Sequence, residues 1–169
     1  MQMAPRLSFA IALVCIVQLT FGFAVESSCA QTRKPTAREI ASIRDCAIRN
    51  KDNLDEGGLR CLFNLVAEPC MGKHPQDASE AVAVDCYRME GVVWDGLLND
   101  NYKSLLDTLD ADQTVKAQAM QRAWIVYRDT TCQFYDDKIQ GSMSIRMHAS
   151  RVTRETARRA MLLNFFSAL

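Results

Sequence analysis

Cysteines are the residues of this chain whose number and spacing most clearly allow chemistry. Six of them follow residue 24: Cys29, Cys46, Cys61, Cys70, Cys86 and Cys132. Residues 1–24 have the pattern of an export leader, and thiols of an exported protein meet an oxidising compartment. Disulfides are therefore the first interpretation. Pairing Cys46 with Cys61, and Cys70 with Cys86, needs only short loops. Six cysteines allow many connectivities, however, and the sequence does not choose among them.

A metal site is the alternative interpretation. Cys61, Cys70 and His74 offer the sulfur and nitrogen ligands that zinc prefers. The chain has no Cys-x-x-Cys pair, and its other histidine, His148, lies far along the sequence. The spacing therefore favours disulfides, and we expect neither a metal nor a cofactor.

The sequence contains little evidence of a catalytic site. His74 falls in a predicted loop and His148 in the last predicted helix, so neither accompanies a candidate serine or cysteine nucleophile. Asp136 and Asp137 are adjacent, but neighbouring residues of a helix point in different directions. We therefore expect that the protein is not an enzyme.

The first 24 residues have the layout of a signal peptide. Arg6 precedes an uncharged, largely apolar run over Leu7–Ala24, and the small residues Gly22 and Ala24 suit cleavage. This pattern predicts a periplasmic or secreted protein without a membrane span after cleavage.

Two other interpretations of the leader remain. Cleavage after Ala30 instead of Ala24 is the first. The second is a lipoprotein anchored through Cys29, which Glu26 disfavours because positions before a lipidated cysteine are usually apolar or small.

Hydrophobic spacing after the leader predicts an all-α fold. Residues 25–35 form a flexible segment in this interpretation, and residues 36–169 form a single helical domain. The predicted helices cover about residues 36–50, 59–66, 77–109, 113–139 and 142–164. We expect a disulfide-stabilised bundle of about five helices with a long antiparallel helical hairpin.

Local signals mark several helix ends. Thr36 with Glu39, and Asp77 with Glu80, have the spacing of capping boxes. Pro69 follows the second predicted helix, with a loop after it. Gly141 stands where a left-handed residue would end the fourth helix.

The turn between the third and fourth helices predicts a contact. Trp94 and Tyr127 are equally distant from that turn, so an antiparallel hairpin brings them level. We expect a buried pair, since both bring large apolar area. Candidates for its polar partners are Glu90, Arg128 and Asp129.

Charge is balanced overall, with 20 basic and 20 acidic side chains, but it is uneven along the chain. Residues 77–137 carry 12 acidic and 5 basic side chains, whereas residues 138–169 carry 6 basic and 1 acidic. The basic last helix either neutralises the acidic segment or leaves an acidic face open to a partner. A basic stripe interleaved with aromatic residues is missing from the sequence, so nucleic-acid binding is not expected.

Two runs of residues carry a family resemblance. The first is Cys86-x-x-x-Glu90-x-x-x-Trp94-Asp95-x-x-Leu98-Asn99-x-x-Tyr102. The second is Gln121-Arg122-Ala123-Trp124-Ile125-x-Tyr127-Arg128-Asp129-x-x-Cys132. Together they resemble the N-terminal domain of the LprI lysozyme inhibitors, and the likeness extends over about Cys46 to Leu163.

The resemblance implies an exported helical domain without a cofactor that binds another protein. Because at least one family member is associated with inhibiting lysozyme, lysozyme is the best-supported class of target. Its signature residues fit structural roles best: Glu90, Trp94, Asn99, Tyr102, Gln121, Trp124, Tyr127, Arg128 and Asp129. Because lysozymes are commonly basic, the partner face is predicted at Asp95, Asp100 and Asp107.

The alternative function is an envelope scaffold or stress module with another ligand. The two hypotheses differ in whether the acidic side chains of the third helix are open. The side chains that would cover them are Arg151, Arg154, Arg158 and Arg159.

One position departs from the family pattern. Such sequences usually carry a cysteine in the last helix where this chain has Arg151, so the bridge that the resemblance implies to Cys132 cannot form. Cys132 is then free, or pairs with Cys29 or Cys86. A free, exposed Cys132 with a lowered pKa would favour a third hypothesis, a thiol-active protein.

Overall fold

The computed structural model describes residues 33–53, 60–62, 65–73 and 79–169. Its helices are α1 (Ala37–Arg49), α2 (Ala67–Gly72), α3 (Glu80–Leu106), α4 (Ala111–Ile139) and α5 (Gly141–Ser167). The described residues contain no β-strand, which confirms the all-α prediction. The predictions on the leader and on Cys29 concern residues outside the described ranges.

Capping boxes begin two of the helices. At α1 the Thr36 hydroxyl accepts the Glu39 amide, and the Glu39 side chain accepts the Thr36 amide, as predicted. At α4 Asp110 and Gln113 exchange the same pair of hydrogen bonds. Each box satisfies backbone N–H groups that have no partner inside the helix.

The start of α3 differs from the prediction. Ser79 is the N-cap, and its hydroxyl accepts the Val82 amide at 3.3 Å. Asp77, the expected cap, lies outside the described residues.

Within the second predicted helix, Arg60 and Cys61 are helical in the described residues, and a separate helix that was not predicted follows it. Leu65 and Val66 form a turn, and the helix follows them at Ala67–Gly72 with Pro69 as its third residue. Proline is tolerated there because the amides of a helix's first turn lack an intrahelical acceptor. Pro69 was predicted to follow the second helix, and it lies in the first turn of α2.

Helix α5 runs parallel to α3. The Thr153 hydroxyl donates to the Tyr87 carbonyl oxygen at 2.9 Å, and the Asn101 side-chain amide donates to the Ala160 carbonyl oxygen at 2.9 Å. The residue numbers of the two helices therefore rise together. A Cβ added at Gly91 would lie 3.0 Å from the Thr153 Oγ1 atom, so glycine permits this close approach.

Helix α5 runs antiparallel to α4. His148 contacts Asp136 at 2.7 Å, and Arg159 donates to the Gln121 side chain at 2.9 Å. The chain reverses at Gln140 and Gly141, whose φ angles of 57° and 72° are left-handed. The left-handed Gly141 was predicted, and it lets two long helices meet almost without a loop.

Helices α3 and α4 thus pack on α5 more than on each other, and the long antiparallel hairpin is α4–α5. The expected buried pair of Trp94 and Tyr127 is wrong: Trp94 is 0% exposed, whereas Tyr127 is 54% exposed. Helix α5 takes the place along α3 that the hairpin prediction gave to α4.

The hydrophobic core lies where α1, α3 and α5 meet. It contains Ile43 from α1, Met89 and Trp94 from α3, and Leu163 from α5, all almost fully buried. Each such side chain contributes about 1.5–3 kcal/mol by leaving water. Among the described helices, none combines the length and apolar character that crossing a bilayer requires.

Candidate functional site

Glu90 is the buried acid of α3. One carboxylate oxygen accepts the backbone amides of Val66 and Ala67, both at 2.8 Å, and the other accepts the Trp94 indole N–H at 3.3 Å. The residue is 1% exposed, and this burial raises the pKa of its carboxyl despite the three donors. Glu90 therefore fixes the start of α2 to α3, and it serves Trp94 as the sequence suggested.

Two disulfides crosslink the described residues. Cys46 bonds to Cys61 and Cys70 to Cys86, each with a Cα–Cα distance of 5.7 Å. These are the two pairings that the sequence indicated as needing only short loops. The alternative zinc site loses Cys61 and Cys70 to these bonds, while His74 lies outside the described residues.

Cys132 is unpaired among the described cysteines and is fully buried. Burial raises the pKa of its thiol, and the neighbouring Glu155 carboxylate adds to that effect. A buried thiol with a raised pKa is a poor nucleophile, so both observations count against the thiol-active hypothesis. Arg151, where a cysteine was expected, instead stacks its guanidinium 4.9 Å from the Tyr135 ring centroid.

Trp124 lies between two arginines. The Arg128 guanidinium carbon is 5.0 Å from the ring centroid and that of Arg159 is 5.7 Å away. Arg128 also pairs with Asp129 at 2.7 Å, and Arg159 is bound by Gln121. The Arg159 contact joins α5 to α4, and the Arg128 contact lies within α4, so Trp124 and Arg128 both have structural partners.

Arg159 was not singled out from the sequence as part of this arrangement. It is buried, and this burial lowers the pKa of its guanidinium. A run of basic residues in an amphipathic helix resembles a solvated face, so only the helix register could have shown that one arginine points inward.

The remaining signature residues lie on the flanks of the core. Tyr102 is half-buried and packs against the core cluster. Asn99 is exposed and donates to Asp95 at 3.2 Å.

The predicted partner face is accessible but divided. Asp95, Asp100 and Asp107 are all exposed. Asp100 lies 3.4 Å from Arg44 of α1, a contact between exposed groups that is worth little. Since five residues turn a helix by about 140°, Asp95 points away from Asp100 and borders the groove between α3 and α4.

Three of the four arginines of α5 that could cover the acids have other partners. Arg158 pairs with Glu155 at 2.8 Å, Arg159 binds Gln121, and Arg151 stacks on Tyr135. No ion pair in the described part of the chain joins an arginine of α5 to the three predicted face residues.

A groove of about 830 Å³ lies between α3 and α4, with α5 as its floor. Its size falls in the range of ligand-binding clefts. The lining residues are Arg88, Gly91, Val92 and Asp95 from α3, Arg128 and Asp136 from α4, and Ser144, Ile145, His148, Ala149, Val152, Thr153 and Thr156 from α5. The sequence did not predict this groove, because it exists only where α5 separates the other two helices.

Fold and site together define a class of protein: a disulfide-bonded, all-helical domain whose polar signature residues stabilise the bundle and whose accessible features are exposed acids and an interhelical groove. The family model described as lysozyme inhibitor LprI matches residues 70–163, which is more than half of the chain. The chain belongs to the LprI lysozyme inhibitor family. The match begins at Cys70, later than the expected start at Cys46.

No curated protein and no solved structure matches the chain in the other two comparisons. LprI is described as an inhibitor family, which agrees at that level with the resemblance seen in the sequence.

Proposed function

We propose that this chain is an exported, non-enzymatic protein that binds and inhibits a lysozyme through acidic side chains of α3. The supporting observation is that Asp95, Asp100 and Asp107 remain exposed while Arg151, Arg158 and Arg159 of α5 are engaged elsewhere. Open acids of this kind attract a basic partner and raise its association rate.

The proposed location is the periplasm or the exterior of the cell. Disulfides persist in oxidising compartments, and the described chain contains two. The leader predicted at residues 1–24 supplies the route of export.

The test is a lysozyme activity assay with the oxidised protein and a variant in which Asp95, Asp100 and Asp107 are lysine. We expect saturable inhibition by the wild type. The variant should inhibit at least about tenfold more weakly, because attraction becomes repulsion.

A matched control changes Asp45, Asp52 and Asp137 to lysine. These acids are also exposed, and none belongs to α3. The net charge changes equally, so the control should inhibit within about twofold of the wild type if position decides. Absence of inhibition at a large molar excess of wild type would exclude lysozyme as the target. Equal losses in both variants would exclude α3 as the contact face.

A further inference from the structure

The groove between α3 and α4 has a shape that could accommodate one further helix, packed as in a four-helix bundle. Both helices pack on α5, and their free flanks form the walls above a floor that includes Ala149, Val152 and Thr156. In a four-helix bundle a fourth helix packs against two such neighbours at a distance of about 8–10 Å. Small and β-branched floor residues leave room for that approach.

Apolar side chains border the opening. Val92 on α3 is 60% exposed, and Ile145 on α5 is 55% exposed, although both line the groove. Apolar lining at a concave, accessible surface is typical of a site that binds another molecule.

The rim charges have a definite order. On α3, Arg88 and Asp95 are separated by about 10 Å along the helix axis, and on α4, Arg128 and Asp136 by about 12 Å. Because α3 and α4 run antiparallel, Asp95 and Arg128 lie towards the Thr156 end, and Arg88 and Asp136 lie towards the opposite end. Each end therefore carries one acid and one base on opposite walls.

Arg88, Arg128 and Asp136 also have neighbours within the molecule, namely Asp85 at 3.9 Å, Asp129 at 2.7 Å and His148 at 2.7 Å. These contacts are partly exposed to solvent, so they hold the charges at the rim while leaving them open to a further partner.

We propose that this groove binds an amphipathic α-helix of a partner protein, with its apolar stripe on the α5 floor. Charge complementarity then favours a base facing Asp95 and an acid facing Arg128 at one end of the partner helix. Two turns further along, the signs are exchanged to suit Arg88 and Asp136. A rim with two bases and two acids suits such a helix better than an anionic amphiphile.

The inference deepens the proposed function by naming the element of the target that the domain receives. It rests on that function only for the identity of the target. The groove can therefore be tested without lysozyme.

The probe is a designed helical peptide of about 18 residues, or about 27 Å, with a leucine stripe and the charge order just derived. Fluorescence anisotropy measures its binding to the wild-type protein, beside a scrambled peptide of the same composition. We expect saturable binding of the designed peptide that is at least about tenfold tighter than that of the scrambled one.

A charge exchange tests the rim. The variant Arg88→Asp with Asp95→Arg keeps the net charge but reverses the order of charges on the α3 wall, and it should weaken binding about tenfold. A peptide with its α3-facing charges exchanged should restore binding to this variant. The matched control exchanges exposed neighbours outside the groove, Asp137→Lys with Lys138→Asp, and should bind the original peptide like the wild type.

Equal binding of the designed and scrambled peptides would overturn the proposal, and so would an exchange of Arg88 and Asp95 that leaves binding unchanged. Saturation of the groove by oleate in place of the peptide, or closure of the groove by a second copy of the chain, would also overturn it. Peptide binding without lysozyme inhibition supports the groove and excludes the proposed function. Lysozyme inhibition without peptide binding supports that function and excludes the helix-binding groove.

Discussion

The two sides of α3 differ sharply although they belong to one helix. On the disulfide side, Cys86, Glu90 and Trp94 are buried, and their polar or sulfur atoms are all engaged within the molecule. On the groove side of the same helix, Val92 and Asp95 remain exposed.

This difference separates structural residues from residues available to a partner. Groups that are buried and satisfied internally stabilise the fold and offer little to another molecule. The signature residues Glu90 and Trp94 belong to that set, so the family pattern reports on the scaffold. Partner recognition is expected from the exposed side of α3, with Val92 and Asp95.

The largest expected effect on stability comes from removing a disulfide. Replacing Cys70 and Cys86 together by serine removes a crosslink between residues 16 apart, which should lower the free energy of unfolding by about 3 kcal/mol. Urea denaturation measures this change. Cys132→Ser, a buried position without a disulfide, is the control and should cost less; equal costs would deny the bond its stabilising role.

Next in size is the loss of the buried acceptor. Glu90→Leu leaves the Val66 and Ala67 amides and the Trp94 indole without their partner, so we expect a loss of about 2 kcal/mol in unfolding free energy. Asp137→Leu, at an exposed carboxylate, should change stability by no more than about 0.5 kcal/mol. Comparable stability of the Glu90 variant and wild type would show that these hydrogen bonds contribute little.

Gly91 and Gly96 of α3 differ in how closely neighbouring atoms approach them. Gly91→Val must displace the Thr153 hydroxyl from the Tyr87 carbonyl, and overpacking of this kind costs about 1–3 kcal/mol. At Gly96 an added Cβ meets nothing within 4 Å, so Gly96→Ala should gain about 0.5–1 kcal/mol from helix propensity. Thermal unfolding of both variants checks the opposite signs, and a stabilised Gly91→Val would contradict the α3–α5 packing.

The smallest predicted effect is a pH dependence. Burial raises the pKa of Glu90 above its ordinary value, so the folded state holds this proton more tightly than the unfolded chain. Its contribution to stability is fully present below the ordinary pKa and is lost as pH rises through the raised one. Glu90→Gln should remove this fall, and urea midpoints from pH 4 to pH 8 compare the two proteins; an identical slope in both would assign the fall to other groups.

Much of the local structure follows from the sequence. The capping box at Thr36, the left-handed Gly141 and the burial of Trp94 were all predicted from residue type and spacing. Periodicity identifies the buried face of a helix but not the helix that covers it. For that reason the partner predicted for Trp94 was wrong, and the inward-pointing Arg159 was missed.

The groove could not be predicted from the sequence for a related reason. Val92 and Ile145 are ordinary apolar members of two amphipathic helices, and nothing in their spacing shows that they stay exposed. Their exposure depends on α5 lying between α3 and α4, which is a property of the packing of three helices.

The most direct test of the account is an NMR titration of the isotopically labelled protein with unlabelled lysozyme. The account predicts that the amide signals of Val92, Asp95 and Ile145 shift or broaden while those of Val66 and Ala67 on the disulfide side stay unchanged. Perturbations confined to Val66, Ala67 and their neighbours would contradict the division between a structural side and a binding side of α3.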